Sequence, residues 1–100
     1  MPEFKTSPGT RDILAPHSAR WRAFQEVFAR TVEAAGYSYI IPPMFEDLDV
    51  FLRLGEATEV VTKEMYDFHD KGGRHVALRP EQTASVCRAF VEHRPTTPWK

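Results

Sequence analysis

The chain holds one cysteine, Cys87, no apolar run longer than a few residues, and no excess of either charge. A lone cysteine rules out an internal disulfide. The short apolar runs fall far below the roughly 20 residues that span a bilayer, so a soluble chain without a membrane partner is expected. No cationic and apolar leader opens the sequence, and a reducing, cytoplasmic setting is the expectation. Lys plus Arg number 13 against 14 Asp plus Glu, a net charge of −1, which gives no global field for phosphate or anionic lipid. His17, His69, His75 and His93 are scattered, with neither His-x₃-His nor Cys-x₂-Cys spacing, so solvated or hydrogen-bonded histidines are expected and a metal site is not. The sequence has no internal repeat and no low-complexity tract.

What is present is a 42% hydrophobic chain of 100 residues, enough for at most one domain that buries roughly two-thirds of its unfolded surface. Residues 1–17 carry Pro2, Pro8, Gly9 and Pro16 without a sustained period and read as a turn-rich arm. Over residues 18–35, Trp21, Phe24, Phe28, Val32 and Ala35 recur in steps of three and four, the stripe of an amphipathic helix about 27 Å long. Ser18 is placed to cap its start, and Gly36 suits the left-handed position beyond its end. Aromatic and β-branched residues at 37–41 favour a strand, and Pro42 and Pro43, lacking backbone donors, must end it or lie on an edge.

Leu48, Phe51 and Leu54 suggest a short helix or turn closed by Gly55. Residues 58–63 have no clear pattern, and Glu56, Glu59, Lys63 and Glu64 make a charged segment, a solvated loop or a lid. Two alternating stretches, MYDFH and RHVAL, flank Asp70-Lys71-Gly72-Gly73, strong hairpin chemistry because both glycines accept positive φ. In that hairpin Tyr66 and Phe68 would share a face with Val76 and Leu78. Lys71 to Arg74 is read as a cationic hairpin tip rather than a phosphate cradle, since no helix follows the glycines. Residues 80–93 read as a helix with Ala84, Val86, Cys87, Phe90 and Val91 on its apolar side, ended by Pro95.

This order predicts an α+β layer of mostly antiparallel strands: a long amphipathic helix, a strand, a hairpin and a further helix. Three or four strands leave one sheet face poorly covered, so a partner subunit or further chain is expected to complete it.

Two readings of Glu81 stand side by side. Behind Pro80, a carboxylate offsets the positive end of a helix dipole, worth about 0.3 to 1 kcal/mol. Alternatively, Glu81 and Thr83 hold an α-ammonium group, a charge-assisted contact worth roughly 1.5 to 3 kcal/mol when partly desolvated. Pro43 with Gly36 is a second constellation: a simple turn of the chain, or the seat of a twofold interface.

Three stretches in one order carry a family resemblance over nearly the whole chain. SPGTRDILA, residues 7–15, resembles the amino-terminal signature of the histidyl-tRNA synthetases, a class II aminoacyl-tRNA synthetase family. GYSYIIPPMFEDLDVF, residues 36–51, is similar to class II motif 1, with Pro43 in the place of its proline. GEATEVVTKEMYDFHDKGGRHVALRPEQTA, residues 55–84, resembles the stretch leading into that family's amino-acid-binding strand and helix. The resemblance implies an enzyme that activates histidine with ATP and Mg²⁺ and transfers it to tRNA(His), working as a homodimer in the cytoplasm.

It implies part of an antiparallel-sheet catalytic domain, divided into an arm (1–17), a helix with motif 1 (18–54), and a loop, hairpin and amino-acid-binding segment (55–100). Glu81, Gln82 and Thr83 match substrate-binding positions, Glu81 and Thr83 those that hold the α-ammonium, although position 82 is more usually glycine in that family. Gly36 and Pro43 fall in the dimer-building motif. Motifs 2 and 3 and the anticodon-binding domain are not among these residues, so no catalytic residue is assigned and the 100-residue chain alone is expected to be inactive. The rival is a non-catalytic regulatory paralogue serving ATP phosphoribosyltransferase, which tends to lack a TEVVTKEMYDF-like stretch and often carries aspartate at the position of Glu81. A plain dimerisation module is the other.

Overall fold

Gly73 adopts φ +86°, where residues with a Cβ are rarely found, and the chain reverses there. Asp70 organises the reversal: its Oδ1 accepts from the amides of Gly72 and Arg74, both at 2.9 Å. Its Oδ2 takes the Arg74 Nε–H at 2.9 Å. In this computed structural model, which describes residues 3–53 and 63–100, the turn joins β2 (Asp67–His69) to β3 (His75–Leu78). The hairpin expected from the sequence forms, although only Gly73 of the two glycines takes positive φ. Phe68 pairs with Val76, and the Leu78 amide donates to the Tyr66 carbonyl, so the expected register holds.

The chain forms two compact units, residues 1–39 with Lys100, and residues 40–99. The first contains α1 (His17–Ala34). It begins at His17 rather than at a Ser18 cap: Pro16 holds the N-cap position and no side chain caps the end. Its far end follows the sequence. Gly36 at φ +92° donates to the Glu33 carbonyl while the Tyr37 amide reaches Val32, the paired bonds that close a helix through a left-handed residue. None of α1's residues is buried, and Trp21, Phe24 and Phe28 stand exposed along the stripe.

Residues 37–41 are not a strand. The Ser38 amide and hydroxyl both go to the Lys100 carbonyl, so the segment is tied to residue 100 rather than to a ladder partner. Strand structure starts only after the prolines, at β1 (Phe45–Asp47), where the backbone can exchange bonds with β3. The sheet has the order β1-β3-β2, antiparallel throughout. Asp47 then caps α2 (Leu48–Leu52) by accepting the Asp49 amide at 2.9 Å. The Leu54 and Gly55 expectations, and all of 58–63 but Lys63, lie outside the described residues.

The last helix, α3, runs Thr83–His93 and starts three residues after Pro80. It faces the sheet with Ala84, Ser85 and Ala89, all buried, whereas Cys87, Phe90 and Val91 of the expected apolar side are exposed. Its principal neighbour is α2, and the small residues it buries override the larger residues' periodicity. Phe51, Ala77 and Ala84 form the core, with Leu48, Val50 and Met65 against it. Burying Phe51 stabilises the unit by about 2 to 3 kcal/mol. The opposite sheet face shows Phe45, Phe68 and Leu78, each about 40% exposed, with the two phenyl rings edge to face at 6.0 Å. Val76, on this same face, is only 6% exposed, so among the described residues the face is partly covered rather than open.

Candidate functional site

The site begins where β3 ends. Arg79 continues the ladder by one bond, its amide donating to the Met44 carbonyl at 2.9 Å. Its guanidinium turns to the proline pair: Nη1 donates to the carbonyls of Pro42 and Pro43, both at 3.1 Å. Prolines have no N–H for a strand neighbour, and here their carbonyls are satisfied by a side chain instead. Pro43 is thus joined to the segment that carries Glu81. Gly36 belongs to the first unit, where it closes α1.

Two residues beyond Arg79, the Glu81 carboxylate folds back onto the first turn of α3. Oε2 accepts the Thr83 amide at 2.6 Å and Oε1 the Ala84 amide at 3.1 Å. Those amides are among the donors that every helix start leaves open. Gln82 is the N-cap residue at φ −105°, ψ −15°, and its side chain makes no capping bond. That negative φ is open to any L-residue, so glutamine fits without strain at this position. Glu81, Gln82 and Thr83 are therefore adjacent at one helix end, all exposed. The helix-start role of Glu81 is directly visible. A carboxylate has about four acceptor positions, so the two amides leave room for one further donor on each oxygen. Two amide bonds also fix the rotamer.

Deeper in the same unit lies a charged contact that periodicity did not reveal. Glu46 of β1 is 7% exposed, on the face covered by α3. Arg88 reaches it, Nε to Oε1 at 2.9 Å, and Nη1 reaches Glu92 at 2.6 Å. The Nε–H is not aimed squarely at the oxygen, so this is a close ion pair more than a well-directed hydrogen bond, and Glu46 Oε2 has no hydrogen-bond partner. The Glu46 contact, with Glu92 adding to it, raises the Arg88 pKa above its ordinary value despite opposing burial.

A cavity of about 440 Å³ lies between residues 40–43 and α3, lined by Ile41, Pro43, Ala89 and Trp99 among others. Glu81 is not part of its wall. Among the described residues no group of three or more His, Cys, Asp or Glu side chains could hold a metal ion. Nor is any described helix long and apolar enough to cross a membrane.

Sequence reasoning missed Arg79 and the Glu46–Arg88 pair. The signal for Arg79 was the unanswered carbonyls of two consecutive prolines; for Glu46, a carboxylate at an inward position of a strand.

Comparison with known proteins places this geometry. A histidine–tRNA ligase from Pediococcus pentosaceus is 48% identical over 93 residues, 92% of this chain and 22% of that protein. The crystal structure of apo S. aureus histidyl-tRNA synthetase superposes with a TM-score of 0.80 at 36% identity, covering 96% of this chain and 23% of that one. An ATP phosphoribosyltransferase regulatory subunit/histidyl-tRNA synthetase from Bacillus halodurans gives 0.74 at 20% identity over 96% of this chain and 26% of that one, which speaks for the fold alone. The chain spans about a fifth of the length of the relatives it matches in sequence. With the histidyl-tRNA synthetase family model matching residues 9–98, the chain belongs to the histidyl-tRNA synthetase family.

Proposed function

We propose that the protein to which these residues belong is a histidine–tRNA ligase, a cytoplasmic homodimer that activates histidine with ATP and transfers it to tRNA(His). The observation that carries the reading is the family match over residues 9–98, with Glu81 and Thr83 side by side at the start of α3. In this reading Glu81 takes the histidine α-ammonium on the acceptor positions its two amides leave open, and the Thr83 hydroxyl orients it. Further walls from the longer protein would desolvate the pair, since Glu81 is exposed in these residues.

ATP supplies the leaving group and Mg²⁺ the charge neutralisation at its phosphates. In this reading the main ligands of both lie in the longer protein, and no step is assigned to the residues described here. Gly36 and Pro43 are proposed to contribute to the subunit interface, Gly36 by closing α1 and Pro43 by ending the extended segment before β1.

The test is histidine-dependent ATP–pyrophosphate exchange by the full-length protein. Glu81→Ala is expected to weaken histidine use by roughly 2 to 3 kcal/mol, some 30- to 150-fold. An unchanged KM for histidine would favour the dimerisation module. A full-length protein with no exchange and no tRNA histidylation would favour the regulatory paralogue.

A further inference from the structure

Arg79 stands where two constellations meet. Upstream, its side chain holds the carbonyls of Pro42 and Pro43, and its amide holds Met44. Downstream, only Pro80 separates it from Glu81, and the proline ring fixes φ at that link. Glu81 is in turn pinned by the amides of Thr83 and Ala84. The path from Arg79 to Glu81 is anchored at both ends with one rigid residue between. The carboxylate's location therefore depends on where the Arg79 guanidinium is seated.

We propose that Arg79 is a positioning residue: by fixing its guanidinium on the diproline carbonyls, it sets where Glu81 meets the ligand's ammonium. The inference rests on the ammonium-binding reading of Glu81 given above. Both carbonyls are reached from one nitrogen, so the arrangement needs a donor whose two N–H directions are fixed. The two hydrogens of Nη1 serve two carbonyls while the planar group stays fixed, whereas a lysine ammonium at the end of a flexible stem does not reproduce that geometry. Arg79 is half-buried and touches no reacting atom in this arrangement, so its influence travels through the backbone to Glu81.

The experiment compares Arg79→Lys, Glu81→Ala and the double variant in the full-length protein, by ATP–pyrophosphate exchange with histidine and ATP varied separately. Arg79→Lys is expected to raise the histidine KM about tenfold, since displacements near 1 Å cost up to 10²-fold, and to leave the ATP KM unchanged. In the Glu81→Ala background it is expected to add nothing to the histidine KM, because the group it positions is gone. Equal rises in both KM values, or an undiminished tenfold effect in the double variant, would overturn the proposal and leave Arg79 a general stabiliser. An unmoved histidine KM in Arg79→Lys alongside a raised one in Glu81→Ala overturns the positioning role while the Glu81 reading survives. An unmoved KM in Glu81→Ala removes both. Should Arg79→Lys not fold, Arg79→Gln, whose amide nitrogen lies two bonds short of the Nη1 position, enters the same comparison and is read the same way.

Discussion

Replacing Arg88 by methionine leaves the Glu46 carboxylate stranded. Glu46 is 7% exposed, its Oε2 already has no hydrogen-bond partner, and the substitution removes the guanidinium 2.9 Å from Oε1. Breaking a buried pair from one side costs about 3 to 5 kcal/mol; the lower end applies here because a quarter of the Arg88 side chain meets solvent. A loss of about 3 kcal/mol is roughly a 150-fold rise in local opening. Amide hydrogen exchange in the full-length protein reads it directly, at the α3 amides from Val86 to Phe90 and at β1. Removing both charges, Glu46→Leu with Arg88→Leu, is expected to restore most of the protection, since no orphan ion remains. The Arg88 pKa is raised above its ordinary value, so the cation persists throughout the working range and moving from pH 6 to 9 leaves its contribution intact. Wild-type exchange rates in Arg88→Met, or a double variant no better protected than the single one, would refute the reasoning.

The hairpin gives a pH prediction of opposite character. Hydrogen bonds from the Arg74 amide and side chain hold the Asp70 carboxyl below its ordinary 3.8, so its contribution is complete above about pH 4 and is lost as pH falls through the lower folded value. An NMR titration of Asp70 with a midpoint at or above 3.8 would contradict this. Gly36→Ala forces a Cβ into φ +92° and is expected to destabilise by about 1 to 2 kcal/mol, seen as a lower Tm of the full-length protein. At Gly73, φ +86° with nothing within 4 Å of a Cβ, the cost is purely backbone, so Gly73→Asn should be milder than Gly73→Val in hairpin amide exchange. The 100-residue chain by itself is expected to show no ATP–pyrophosphate exchange, and a measurable rate would overturn the division of labour proposed above.

The features legible in the sequence are those decided within a few residues. Asp70-Lys71-Gly72-Gly73 specifies its own reversal, and Gly36 ends α1 through bonds to Glu33 and Val32. The first strand was misplaced because pairing is decided elsewhere: residues 37–41 have strand-forming side chains, but β3 offers its free edge to Phe45–Asp47. The inner face of α3 was hidden for a different reason. Ala84, Ser85 and Ala89 are too small to dominate a hydrophobic pattern, yet they are the residues α3 buries. At the candidate site, Glu81 and Thr83 were visible as neighbours in sequence. Arg79 was not, because its partners, Pro42 and Pro43, lie more than thirty residues away in the chain.

The central place of β3 also sets an order of assembly. His69 and His75 close their pairing across a few residues, an event on the scale of about 1 to 10 μs for a hairpin. Glu46 and Ala77 are about thirty residues apart, and their pairing must first meet a larger loop-closure entropy. The early hairpin therefore acts as a template whose second edge waits for β1, and the shelter of Phe51 and Glu46 forms late. Substitutions in the turn should slow folding, whereas those at the β1 edge should chiefly quicken unfolding.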